Sequence, residues 1–310
     1  MINSVILFED GRTITHSSPT KYIGKTFEKG YYKAKTDSNG NIVINDFQLK
    51  EIHTPFNSDE NVLMINTVNN FFEQGVKEKI NSLGFLHKLG ILMYGRQGTA
   101  KTSLMHYIAE MLVKQKDAIV FFCDSDNELF TTMALANSIR EIQSNPLIFI
   151  MDEFDKYVRE TESNLKNFLD GKDSVDNSLF LANTNYIDKI PDTLKNRPSR
   201  FKICQELKGI TDKNYMTAVI TTISEKIQPG LFTEQEIKDI VKIKDNVTMD
   251  ELKHICLDKA TNVYIPKTYK ATIGFNKTEE EKVEEKTYYS FAPLDFKLTN
   301  PKPVKTDSTL

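Results

Sequence analysis

The chain has 310 residues, with 40 Lys and Arg against 43 Asp and Glu, a net charge of −3 and a pI of about 6.0. At about 150 residues per domain this length predicts two domains with a sizeable buried core, and the balanced charge excludes a global field drawing the chain to nucleic acid or anionic membrane. Three widely separated cysteines, Cys123, Cys204 and Cys256, without C-x-x-C spacing, argue against a disulfide framework or zinc site and fit a reducing cytoplasm.

The N-terminus, MINSVILFEDGRTITHS, has a short apolar run but no basic leader and no small-residue cleavage site. No apolar run approaches about 18 residues, so the chain reads as neither secreted nor membrane-spanning. Residues 1–56 alternate apolar and polar types in SVILFED, GYYKAKT and NIVIND, and Asn39-Gly40 between two such runs is a hairpin signal. This predicts a small β-rich N-terminal element. Asp37, Asn39 and Asn41 do not make a calcium loop, because the glycine is misplaced and no Glu follows at the twelfth position; the segment reads as a plain turn.

Behind a Ser58-Asp59 cap, Val62, Ile65, Val68, Phe72, Val76 and Ile80 recur at helical spacing and predict a helix leading into the next segment. Strands are then predicted at 89–94, 118–123, 146–152 and 178–184, separated by helices at about 101–114, 127–144 and 156–169. Continuous β-branched and aromatic strands alternating with helices imply a parallel sheet covered on both faces, an α/β architecture. From 208 to 264 no strand is evident, and Thr233-x-x-Glu236 and Thr248-x-x-Glu251 are two capping boxes opening amphipathic runs, which predicts a small helical bundle. Residues 265–310 carry NKTEEEKVEEKTYYS and TNPKPVKTDSTL, few of them core types, and read as a charged mobile tail.

Three segments carry chemistry. LGILMYGRQGTAKTSL has the form of a phosphate-binding loop between strand and helix: Gly95 and Gly98 permit the turn, the backbone of Gly95, Arg96, Gln97, Gly98, Thr99 and Ala100 surrounds phosphate, Lys101 neutralises it, and Thr102, followed by Ser103, supplies a metal-ligating hydroxyl. Alanine stands at Ala100 where glycine is usual, which is tolerable if its φ is negative and its methyl turns from the phosphates. NPLIFIMDEFDKY ends a buried strand in two acids, Asp152 to hold Mg²⁺ and Glu153 to act as general base toward water. LFLANTNYIDKIPDTLKNRPSRFK places Asn185 at a strand end to orient that water, then the pair Arg197 and Arg200 to stabilise charge in a neighbouring subunit's site.

These motifs, in this order, resemble the AAA+ ATPases and more narrowly their classical AAA clade, over roughly residues 58–262. GILMYGRQGTAKTSL corresponds to Walker A, PLIFIMDEFDKY to Walker B, NFLDGKDSVDNSLFLANTN to the leucine-aspartate-glycine segment running into sensor 1, and IPDTLKNRPSRF to the arginine-finger region. The resemblance implies a P-loop NTPase core with a five-stranded parallel sheet over residues 57–207 and a helical lid over 208–264. It also implies ATP and Mg²⁺ as cofactors, hydrolysis at the subunit interfaces of a homo-oligomeric ring, usually a hexamer, and a protein client or adaptor met through the N-terminal element.

The chain departs from the family pattern at Arg96, Gln97 and Ala100, where two prolines and a third glycine are usual, so retained binding with an altered affinity or rate is expected. The only pore-loop counterpart is Leu129-Phe130, without the following glycine; a buried pair at a helix start is the better reading, and polypeptide threading is not supported. No sensor 2 arginine is evident, Lys253 being the nearest basic residue. A remodelling ATPase is favoured over a clamp- or helicase-loader-like ATPase acting on DNA, and over a scaffold gated by ATP with little turnover.

Overall fold

The computed structural model describes residues 4–7, 13–16, 26–38, 42–49, 58–156, 158–171 and 173–261; the segment expected to be a tail and the Asn39-Gly40 turn lie outside them. The apolar runs fold as β5 (Lys88–Tyr94), β6 (Ile119–Phe122), β7 (Leu147–Met151) and β8 (Ser178–Thr184), joined by β9 (Ile203–Glu206). All neighbours in this set run parallel, in the order β6-β7-β8-β5-β9. The last strand was not among the expected segments. Its burial alternates between partly buried and exposed positions, so it lacks the continuous apolar run that marks the four strands inside the sheet.

Alternation along those strands divides the core between two faces. Leu92, Phe121, Phe149, Met151, Phe180 and Ala182 enter one cluster, while Ile91, Met93, Val120, Phe122, Ile148, Ile150 and Leu181 enter the other. A strand buried on both faces needs apolar residues at every position, which is why β5 to β8 show no polar alternation. The first face is covered by α4 (Asp126–Ile142) and α5 (Val158–Asp170); the second by α1 (Asp59–Phe71) and α3 (Lys101–Lys116). The single helix expected from Val62 to Ile80 is broken by Gly75, at φ +83°, into α1 and α2 (Val76–Ser82). In α1 the buried stripe is Asn61, Met64 and Val68, and Val62 faces outward.

The N-terminal strands continue the same sheet. β1 (Ser4–Leu7) pairs antiparallel with β2 (Thr13–His16), β2 pairs parallel with β4 (Ile42–Asp46), and β3 (Gly30–Thr36) forms the expected antiparallel hairpin with β4. β3 then lies parallel to β6, giving a nine-stranded sheet in the described residues. Tyr32 and Phe27 pack on Phe121, so the hairpin is joined to the α/β core by side chains as well as by the ladder.

The helical bundle comprises α7 (Lys213–Ile227), α8 (Glu234–Ile243) and α9 (Met249–Thr261) around Met216, Val219, Ile220, Ile237, Val241, Leu252 and Cys256. Both expected capping boxes form: Thr233 with Glu236, and Thr248 with Glu251, whose backbone N–H donates to Thr248 Oγ1 at 3.2 Å.

One close approach positions the sheet's edge. A Cβ added at Gly90 in β5 would lie 1.9 Å from the Arg200 carbonyl oxygen and 3.1 Å from Phe201 Cα, both backbone atoms without freedom to yield. Gly90→Ala must therefore push the 197–201 segment off the sheet. A loss of about 1–3 kcal/mol in urea unfolding is expected, and an unchanged midpoint would show that the contact is not formed in solution.

Candidate nucleotide-binding site

β5 delivers its C-terminal end to a loop, Gly95 to Ala100, that turns directly into the 16-residue α3. The positive end of that helix and its free N–H groups favour an anion at the loop. Lys101, 6% exposed, folds back so that its Nζ donates to the Gly95 and Arg96 carbonyls at 2.8 Å each and approaches Thr99 Oγ1 at 3.4 Å. Burial pushes the Lys101 ammonium down to about 8, against the opposing pull of Asp152. A buried cation ringed by neutral oxygens is the partner a polyphosphate would find here.

The loop leans on the helical bundle, the segment expected to be a lid. Asp250 N–H donates to the Gly98 carbonyl at 3.2 Å, and a side chain at Gly98, φ +80°, would meet Thr248 Oγ1 and Asp250 Cβ at 3.0 Å. Arg96 donates from Nη2 to the Asn246 carbonyl and lies 3.6 Å from Glu251 Oε2. Ala100 differs from expectation: its φ is +67°, not negative, and its methyl packs against the lid cluster. Two residues that depart from the usual loop pattern, Arg96 and Ala100, thus both touch the lid. The exposed Gln97 and the half-buried Ser103 line the clefts beside the loop.

β7 ends at Met151, immediately before the acids. Asp152 accepts from Thr102 Oγ1 at 3.2 and 3.3 Å through its two oxygens. Glu153 takes a left-handed backbone, φ +48°, and its N–H donates to Asp152 Oδ1 and Asn183 Oδ1, both at 3.0 Å. The Glu153 carboxylate is paired with Lys156; with the two side chains 52% and 64% exposed, water screens such a pair and it opens readily. Asn183, 3% exposed near the end of β8, donates from Nδ2 to Thr102 Oγ1 at 3.2 Å. Asn185, just past β8, lines the same cleft without being part of this network, and Thr184 between them donates to Asp155 Oδ1 at 2.6 Å. Sequence reasoning missed Asn183. The signal was a polar residue interrupting the otherwise buried SLFLA run.

Gln97, Lys101, Thr102, Asp152, Glu153 and Lys253 surround a cleft of about 300 Å³, and an adjoining cavity of about 450 Å³ lies between α1, the loop and the lid, lined by residues including Ala100, Gly209, Ile210, Tyr215 and Met249. The two meet at Ala100, Ser103 and Lys253, a polar end and a half-apolar end in the proportions of a nucleotide. A hydroxyl and a carboxylate, Thr102 and Asp152, converging within 3.2 Å are hard oxygen donors of the kind Mg²⁺ takes beside phosphate.

Arg197 and Arg200 do not border this cleft. Both turn to Asp170 Oδ2, at 3.1 and 3.3 Å from their Nε atoms. Arg200 is 7% exposed, and its Nη1 donates to the Thr193 carbonyl. Burial would raise the Asp170 carboxyl, but the Ser199 hydroxyl and the Arg200 and Arg197 guanidinium groups outweigh it and hold it below the usual carboxylate range. Arg197 keeps a side chain 59% exposed. Of the pair weighed as a pore loop, Leu129 is fully buried in the first turn of α4 and Phe130 is half-buried, as expected of a helix start; His106 of α3 packs edge-on against Phe122.

Ala100 yields a test of the loop. A left-handed backbone costs an L-residue about 1–2 kcal/mol, whereas burying one methyl contributes about 0.8 kcal/mol. Ala100→Gly should therefore unfold within about 1 kcal/mol of the wild type; stabilisation in urea well beyond about 2 kcal/mol would mean that the methyl contributes nothing against the lid.

Comparison with known proteins places part of the chain in a family. Residues 91–209 match the family described as ATPase family associated with various cellular activities (AAA). The chain is 23% identical over 205 residues to the vesicular-fusion protein SEC18 of Candida albicans, covering 58% of this chain and 26% of that protein. It is 31% identical over 166 residues to the ATP-dependent zinc metalloprotease FtsH 1 of Conexibacter woesei, covering 46% of this chain and 24% of that protein. The chain thus spans about a quarter of the length of these relatives. Residues 91–209, with their loop between β5 and α3 and the acids after β7, thus match the AAA family of ATPases on the parallel-stranded part of the sheet.

Proposed function

We propose that the protein binds ATP with Mg²⁺ in this cleft and hydrolyses it between subunits of a homo-oligomeric ring, using the energy to remodel a protein or protein assembly. The observation that carries the reading is the convergence of Lys101, Thr102, Asp152 and Glu153 on one cleft, since a protein that only bound nucleotide would have no use for Glu153 there. The polyphosphate lies along the loop with Lys101 turning from the loop carbonyls to its oxygens, and the base and ribose enter the 450 Å³ cavity beside Tyr215 and Gly209. Thr102 and Asp152 would hold Mg²⁺, which would neutralise phosphate charge when bound. Glu153, freed from Lys156, takes the proton of the attacking water, and Asn185 orients that water from the end of β8.

Completion of the site by a neighbour follows from the arginines. Arg200 is anchored through its carbonyl against Gly90, five residues before Gly95, which is about 16 Å along a strand. The arginine pair is thus held toward the far end of β5 from its own loop. Arg197, exposed beside its anchored neighbour, is the better placed to reach a second copy's phosphates, with Arg200 holding the segment in position. Separate roles for an N-terminal element (1–56), an ATPase core (57–207), a lid (208–264) and a tail (265–310) belong to this reading, as does a client or adaptor met by the N-terminal strands. The relatives' names, a vesicular-fusion protein and an ATP-dependent protease, describe different work, so the shared segment supports the ATPase step and not one client. Among the described residues no helix is long and apolar enough to cross a membrane.

Phosphate release by the purified protein tests the reading. Lys101→Ala should abolish nucleotide binding. Glu153→Gln should keep binding and lower turnover by about 10²–10⁴-fold, the range of a general base; wild-type protein that binds but never hydrolyses would reduce the molecule to an ATP-gated scaffold. Lys101 loses its charge as pH rises through about 8, so nucleotide affinity should fall between pH 7 and 9 and stay level in Lys101→Arg, whose charge persists over that range. In a verified oligomer, Arg197→Ala should cost about 10³-fold in turnover with binding intact. Arg200→Ala should instead lower stability by up to about 3 kcal/mol, because it leaves Asp170 half-paired; the reverse assignment of effects would overturn these roles.

A further inference from the structure

We infer that Asn183 is a positioning residue of the site, setting the Thr102 hydroxyl and the Glu153 backbone with one planar amide. This rests on the ATPase reading above and adds to it a residue that neither the loop pattern nor the acid pair contains.

The argument begins with cost. Asn183 is 3% exposed, on a strand whose other positions are buried, so a polar side chain there is destabilising unless both its ends are bonded. Both are, and to functional groups of two different elements. Glu153 N–H is a fixed donor, so the oxygen of the amide must face it, at 3.0 Å; the NH₂ must then face Thr102 Oγ1, at 3.2 Å. Among side chains, a donor and an acceptor held in one rigid plane are offered by Asn and Gln.

The consequence for Thr102 is a choice of rotor. Its hydroxyl has one proton and two lone pairs. The proton goes to Asp152, and the Asn183 NH₂ occupies one lone pair, which leaves the other for a cation. Without Asn183 only the bond to Asp152 orients the hydroxyl, and the lone pair facing the cation is no longer fixed. The consequence for Glu153 is conformational: a left-handed backbone at φ +48° is unfavourable for glutamate and persists only where neighbours hold it. Its N–H is held by Asn183 from β8 as well as by Asp152 beside it. Register supports the placement, because Asn183 sits opposite Met93 of β5, one residue before that strand's end, and faces α3 as Leu179 and Leu181 do.

Asn183→Leu keeps the branched shape and removes both bonds, and Asn183→Ala carries the test if leucine does not fold. The readout is binding of a fluorescent ATP analogue in excess EDTA and in Mg²⁺, followed by steady-state hydrolysis. Affinity in EDTA should stay within about twofold of wild type. The gain in affinity on adding Mg²⁺ should shrink by about 10–100-fold, as expected when a partner of a metal ligand is lost, with KM for Mg-ATP raised in step and kcat lowered as well. An unchanged Mg²⁺ gain and kcat, or an equal loss of affinity in EDTA and Mg²⁺, would overturn the inference while leaving the ATPase reading in place. Wild-type protein with no Mg²⁺-dependent binding would sink that reading, and this one with it.

Discussion

Three parallel strand ends lying side by side are the constraint on which the site depends. β5, β8 and β7 are neighbours at about 4.8 Å spacing, and because they run the same way their C-terminal ends reach one edge of the sheet. The phosphate loop, Asn183 and the acid pair occupy those three ends. No loop has to travel to bring Thr102 within 3.2 Å of Asp152; the sheet register does it. The apolar residues that make these strands buried on both faces are therefore also what positions the polar ones, since a slip of one residue would turn Asn183 from α3 to the opposite face.

Around that edge the chain stores local strain and offsets it with contacts. Ala100 and Glu153 both have left-handed backbones, one at the helix start and one at the candidate base. Each is held by an element distant in sequence: Ala100 by the lid cluster, Glu153 by Asn183. The lid's own folding depends on the same contacts, because Glu251 caps α9 with Thr248 and also faces Arg96 of the loop. A displacement of the lid would therefore be felt first at Arg96, Gly98 and Ala100.

Much was legible in the chain. The four inner strands and the helices between them were read within a few residues, because a two-faced buried strand and an amphipathic helix leave unambiguous patterns. Both capping boxes were legible for the same reason, being local hydrogen-bond devices of fixed spacing. β9 was not, since an edge strand with alternating burial looks like the loops around it. The continuity of the N-terminal hairpin with the main sheet was not legible either, because pairing of β3 with β6 joins segments some 90 residues apart. Nor was the break at Gly75, as a periodic apolar pattern continues across it.

At the site, sequence by itself determined the chemistry available: a lysine and a threonine after a glycine loop, two acids after a buried strand, and two arginines downstream. Those are covalent facts with local spacing, and they suffice to name a family. Only the tertiary structure decided which groups meet. It put Asn183 rather than Asn185 between Thr102 and Glu153, buried Arg200 against Asp170 while leaving Arg197 exposed, and gave Ala100 a positive φ with its methyl on the lid. Each of these depends on strand register and on long-range packing, which set where a side chain points and what it costs to bury it, and neither is encoded in any short stretch of residues.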